Sequence, residues 1–320
     1  MMERTLAPSS RRFATSLLSG ELALIVAVVV VWLVVAARFA SAQEIWVDET
    51  TQLSGLTLGP MEVVGWLGGD RQDRFDVPGD RMPPVSYWLG SAWASLFGAT
   101  ENSLRALGIV LVGAAAALIA SAAHRAWGSL AGWISGIAFA LSPNAILSGV
   151  EIRAYPLLIF LSAVAFWLMV ALEDVECVRR PSRWVALAAT CIVAAYTHFF
   201  GLVLAGAVFL GLLAFDSVRK EGRAYWLLGT GMIAVASVGL LPFIRAAMNI
   251  SPSGTEPKEV LPGVVRLAYR TLGGHPALAV YWPVLVAGLT GALIVLAAVP
   301  LPKRRARVGH ALALSLGAGF

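Results

Sequence analysis

The sequence predicts an all-α, polytopic membrane protein, and three observations carry that prediction. Of the 320 residues, 58% are hydrophobic and 13% charged, and the mean hydropathy is +0.77, outside the ordinary soluble range. Apolar runs at 21–40, 104–123, 129–147, 150–172, 225–244 and 277–300 match the roughly 20 residues that a helix needs to cross the hydrocarbon core. The basic residues sit in short clusters between these runs. That spacing is a topology signal, and it argues against nucleic acid as a partner despite a net charge of +5.

The first run follows a basic start containing Arg4, Arg11 and Arg12. Ala40-Ser41-Ala42 resembles a signal-peptidase site, but the apolar stretch from Leu22 to Ala37 is at or beyond the upper length of a signal-peptide core. A retained anchor with a cytoplasmic N-terminus is therefore expected. From Trp184 to Phe215 the chain is apolar, a length too great for one comfortable span and short for two. Charge resolves it: the clusters around Arg125, around Arg179, Arg180 and Arg183, around Arg219, Lys220 and Arg223, and at 303–307 all belong on the cytoplasmic side. Both ends of 184–215 then lie on one side, which requires a hairpin turning at Tyr196-Thr197-His198 before Gly201; the alternative, one long tilted span, breaks the charge rule for everything downstream. A turn at that depth implies a cavity opening outward, because irregular backbone within a bilayer must be surrounded by protein or water. The expectation is a single transmembrane domain, 1–320, with about eight to nine spans. Its non-cytoplasmic loops are 41–103 and 245–276. The last run, 309–320, stops in mid-pattern, so a truncated C-terminus is expected. Cys177 and Cys191 offer neither a disulfide framework nor metal-ligand spacing.

The first outer loop opens with WVDET, where Asp48 and Glu49 stand just beyond the anchor. Adjacent residues on a helix point about 100° apart, so the two cannot form a facing dyad. One reading makes Asp48 a helix N-cap over Glu49; the other makes it a catalytic base. In PPVSYWLGSAWASLFG, 83–98, the residues Val85, Trp88, Leu89, Ala92, Trp93, Leu96 and Phe97 fall at helical spacing on one apolar face. This helix is too short to span and is expected at the membrane interface or packed on the bundle, as a floor or lid near Asp48. Asp80 and Arg81 precede it and Tyr87 lies within it; all three are candidate binding residues. In the second outer loop Arg266 and Arg270 share a helix face, suited either to a phosphate or to lipid headgroups.

After Ser142-Pro143-Asn144 breaks the third run, GVEIRAYPL sets Glu151, Arg153 and Tyr155 at the mouth of the fourth. Charges at membrane depth are costly and face a cavity or a partner. His198, in the expected turn, is a candidate acid, a phosphate donor or simply a hydrogen-bonded histidine. No second histidine or cysteine lies at ligand spacing, so no metal or other cofactor is expected, although a divalent cation held by carboxylates is conceivable.

WVDET, PPVSYWLGSAWASLFGATENSLR, EIRAYPL and YTHFFG, in this order, resemble the polyprenyl-phosphate-dependent glycosyltransferases of the GT-C class, the superfamily of protein O-mannosyltransferases and lipid A aminoarabinose transferases. The likeness covers about residues 15–245. It implies a GT-C-like helix bundle in which the acidic motif of the first outer loop supplies the catalytic aspartate, a role that falls on Asp48 with Glu49 as companion. Arg81-Met82 stand where the family has a histidine before the proline pair. The resemblance implies transfer of a sugar from a polyprenyl-phosphate donor to a glycan, lipid or protein acceptor. It also implies inversion at the anomeric carbon and a location in a bacterial-type inner membrane, with membrane lipids as the surroundings. Two other classes fit the composition: a transporter or flippase of a lipid-linked or anionic substrate, and a non-catalytic membrane partner in a polysaccharide assembly complex.

Overall fold

A computed structural model describes residues 8–70, 77 and 79–249, with side chains from Gly20 onward. The expected span 277–300, the basic run 303–307, the final run, Arg266 and Arg270 lie outside the described residues, as does most of the second outer loop. Among the described residues every element is a helix.

Helix α1 (Pro8–Ala40) enters the bundle along a stripe of buried residues four apart: Leu24, Val28, Trp32 and Ala36. Leu22, Val26, Val30 and Val34, between them, are exposed. An apolar exterior on a helix with an apolar interior face is what a lipid-facing helix shows. Two short helices, α2 (Val47–Leu56) and α3 (Pro60–Leu67), then lie over the end of the bundle, followed by α4 (Val85–Phe97). Helix α5 (Glu101–Trp127) is central. Thr100 caps its start by accepting from the Ser103 N–H, and Gly128, at φ 97°, ends it. Its buried face is mostly small, with Gly108, Gly113, Ala115, Ala116 and Ala120, which lets backbones approach closely without a wide side-chain layer. Helix α1 runs antiparallel to it, so that Trp32 donates to the Ile109 carbonyl at 2.7 Å while Glu21 meets Ser121 and Arg125.

Helices α6 (Ser129–Ala140) and α7 (Pro143–Val150) return along α1 and α5, bent by 55° where Ser142-Pro143 interrupts the ladder. Helix α8 (Tyr155–Ala171) descends, the short α9 (Val175–Val178) turns the chain, and α10 (Pro181–Thr197) rises against α8. The expected hairpin is present: α10 ends at His198 and α11 (Phe200–Leu212) packs back along it. Gly201 makes this possible, because a Cβ there would run into the backbone of Ala194 and Ala195. A π-helical turn, Val218–Gly222, leads into α12 (Arg223–Val238), and α13 (Leu241–Asn249) follows at 49°.

Two spans, Gly20–Ala40 and Glu101–Trp127, are long and apolar enough to cross a membrane, or up to four if each bent pair counts as one; α8 and α11 are shorter apolar helices. The described residues therefore support fewer spans than the expected eight to nine. The difference has a physical cause: proline and glycine divide runs that composition alone joins. The run 225–244 is one such case, since it breaks at Gly239, ahead of Pro242, which cannot donate to the preceding turn.

The bundle has two chemically different ends. Arg125 and Arg183 both lie over the Trp167 ring, at 5.1 and 5.6 Å, and Arg179 pairs with Glu221 at 3.3 Å. Among the described residues, the clusters around Arg125, Arg179 and Arg219 thus lie together at one end. Helices α2, α3 and α4 and the mouths of α5, α8 and α10 form the other.

Candidate functional site

The site is built around a buried ion pair. Trp46 is the N-cap of α2, and Glu49, at the third helical position, accepts from its backbone N–H at 3.3 Å. Asp48 is therefore inside the helix and not its cap, which corrects one of the two sequence readings. From the next position Glu49 points inward, where it is fully buried, and Arg105 of α5 grips it with Nη1 at 3.1 Å and Nη2 at 3.3 Å. The Ile152 N–H donates to the same carboxylate at 2.8 Å, and Arg105 also donates to the Val150 carbonyl at 2.5 Å and to Glu101 at 2.9 Å. Every strong valence of the pair is thus satisfied, as a buried pair requires. Three segments far apart in sequence, α2, α5 and the α7–α8 link, are pinned at one point.

That pin orients the residues on either side of it. One position before Glu49, Asp48 turns away from the core and leaves its carboxylate 47% exposed. One position after Ile152, the buried Arg153 side chain reaches back. Its Nη1 donates to the Asp48 carbonyl at 2.8 Å and to Asp80 at 3.3 Å, while Nη2 stands 3.9 Å from the Asp48 carboxylate. Asp80 is further held by the Tyr87 hydroxyl, at 2.9 Å, and by the Arg81 N–H, at 2.8 Å. Tyr87 is fully buried, edge-on to Trp66, and burial together with Asp80 pushes its hydroxyl well above its ordinary pKa, so that it remains a donor.

A row of rings continues from Arg153. Its guanidinium lies 5.9 Å from the centre of Tyr155, and Tyr155 lies 5.5 Å from His198. His198 sits in the turn outside both helices of the hairpin. Its Nδ1 accepts from the Phe200 N–H at 3.1 Å, and burial, then Arg153, hold its pKa below the ordinary range. A neutral imidazole with Nε2 as the donor follows. Glu151 moves the opposite way: burial first, then Glu49 and Asp48, raise its carboxyl, with Arg153 and Arg105 opposing.

Of the residues singled out in sequence, Asp48, Glu49, Asp80, Arg81, Tyr87, Glu151, Arg153, Tyr155 and His198 thus gather at one end of the bundle. Arg105 was not singled out, although a lone arginine inside an apolar run is a recognisable signal. Among the described residues no group of three or more His, Cys, Asp or Glu could hold a metal ion. Helix α4 buries Ser86, Tyr87 and Gly90, and Trp88, Leu96 and Phe97 of the apolar stripe are exposed, the arrangement of the two expected alternatives in which the stripe faces the membrane interface.

Residues 86–221 match the family model for the N-terminal domain of the protein O-mannosyl-transferase TMEM260. The match supports a glycosyltransferase-like family, spans less than half the chain, and takes in Tyr87, Arg105, Glu151, Arg153, Tyr155 and His198 but not Asp48, Glu49 or Asp80. No curated protein and no solved structure gives a significant match.

Proposed function

We propose that this chain is a membrane glycosyltransferase that moves a sugar from a polyprenyl-phosphate donor to an acceptor hydroxyl on the non-cytoplasmic face. One observation carries the reading: the Asp48 side chain stands half-exposed beside the buried Arg153, whereas the Glu49 and Asp80 carboxylates each accept several hydrogen bonds. The family match supports the reaction class, and the gathering of basic residues at the far end of the bundle supports the sidedness. The further expectations of a GT-C-like bundle with eight to nine spans, a cytoplasmic N-terminus and a bacterial-type inner membrane belong to the same reading.

In the proposed step Asp48 takes the proton of the acceptor hydroxyl as its oxygen bonds to the anomeric carbon. The bond from that carbon to the phosphate oxygen breaks, and the electron pair leaves with the lipid phosphate. Arg153 stabilises the developing anion, with Arg266 and Arg270 as further cations and Tyr155 and His198 as neutral donors. The leaving group is already a good anion, so a single carboxylate base suffices. Glu49 acts as a positioning residue through Arg105.

Purified chain in liposomes, given radiolabelled polyprenyl-phosphate mannose and an acceptor extract, is predicted to label the acceptor and release polyprenyl phosphate in equal amounts. Movement of intact donor across the bilayer without cleavage would replace this reading with that of a flippase.

A further inference from the structure

Beside the ion-pair pin, between α2, α4, α5 and the start of α8, lies a partly open cavity with ≈ 30 Å³ of space for the centres of water-sized groups. Its lining combines leucines such as Leu104 and Leu107 with the polar Gln52, Ser86, Glu151 and Arg153. Three of those groups, Gln52 Oε1, Ser86 Oγ and Arg153 Nε, are buried without a hydrogen-bond partner. Gln52 is 3% exposed, Ser86 7%, and the Arg153 side chain 6%. A buried polar atom without a partner costs about 1–3 kcal/mol, so three among the residues lining one small cavity call for a partner there, either ordered water or a polar group of a ligand.

The size and the polarity select the ligand. A water needs about 10–15 Å³ measured in this way, so the cavity admits about two non-hydrogen atoms, far fewer than a sugar ring or a phosphate group. Gln52 offers an acceptor, Arg153 a donor and Ser86 either. That combination suits a hydroxyl, which donates once and accepts from others. An anion, with no proton for the Gln52 oxygen and with Glu151 also lining the wall, is disfavoured.

We infer that this cavity is the specificity pocket for the hydroxymethyl arm of the transferred sugar, read by Gln52, Ser86 and the Nε of Arg153. The inference rests on the glycosyltransferase reading and names its sugar class: hexoses that carry a free primary hydroxyl. Arg153 joins the pocket to the reacting centre, because its other nitrogens hold Asp48 and Asp80.

The test uses the purified full chain in detergent and reads thermal stabilisation by methyl mannoside, methyl 6-deoxymannoside and methyl lyxoside, the last lacking the whole arm. Methyl mannoside is expected to stabilise at about tenfold lower concentration than either analogue, the effect of one to two net hydrogen bonds. In the double variant Gln52→Leu, Ser86→Ala the three glycosides become equal, and the ligand-free variant melts higher than wild type because unpartnered polar atoms are gone. Equal stabilisation of the wild type by all three, or a variant that melts lower and keeps the preference, would mean a hydrated structural cavity only and would overturn the inference. If the preference is intact but the liposome assay shows no transfer, the transferase reading falls and the pocket stands. Transfer without the preference has the reverse meaning.

Discussion

Glu49 and Asp48 are neighbours with opposite environments, and the difference is set by the roughly 100° between successive residues of a helix. Glu49 is closed off by Arg105, and breaking a buried pair by removing one partner costs about 3–5 kcal/mol. Arg105→Met should therefore lower the unfolding midpoint sharply, and adding Glu49→Leu should recover most of the loss; a double variant no better than the single would show that the pair does not hold the site together. Glu151 gives a pH signature. Its carboxyl is raised in the folded state, so its contribution to stability is present below the ordinary carboxylate pKa and is lost as the pH rises through the folded value. Wild type should lose more of its melting temperature than Glu151→Gln between mildly acid and neutral pH, and parallel curves would exclude the effect. The acidic motif was legible in sequence because its position outside the first span is unusual. Its ion-pair partner was not, because Arg105 lies 56 residues away and no local pattern links them.

At the scale of elements, charge alternation identified the α10–α11 hairpin, and Gly201 set its geometry. Gly201→Ala should destabilise by about 1–3 kcal/mol, as overpacking does, because the clash is with backbone that cannot rotate away. Gly206, on the same helix with nothing within 4 Å of a Cβ, is the control. Gly206→Ala should be neutral or stabilising by up to about 1 kcal/mol, as read from denaturant unfolding, and equal losses at both sites would contradict the close-packed hairpin. Helix α4 was recognised from its period, which left open whether its apolar face meets the membrane interface or the bundle. Periodicity reports an apolar face, but burial here goes to the face carrying Tyr87, whose hydroxyl must reach Asp80, and the tryptophan side remains outside. The bent helices were harder still, since composition does not distinguish one straight span from two segments broken at a proline.

Across the whole molecule, the separation of the basic end from the carboxylate end makes a statement about topology. Ser95, exposed on α4, and Cys177, after α8 and beside the basic cluster, mark the two ends. In sealed right-side-out membrane vesicles an impermeant thiol reagent should label Ser95→Cys directly and Cys177 only after permeabilisation; the reverse order would invert the orientation and move the chemistry to the other face. The two ends also divide the work. In the proposed function the basic end fixes orientation, and the acidic end, roofed by α2 to α4, carries the groups assigned to bond exchange.

The most direct measurement compares sugar transfer by wild type, Asp48→Asn and Asp48→Glu in the liposome assay, with melting temperatures taken in parallel. Asp48→Asn keeps the shape and the Arg153 contact to the Asp48 carbonyl but cannot accept a proton. It should therefore lower kcat by about 10²–10⁴-fold, the usual contribution of a general base, with little change in stability, and Asp48→Glu should keep part of the rate. Transfer by Asp48→Asn at the wild-type rate would contradict the assignment of Asp48 as the base.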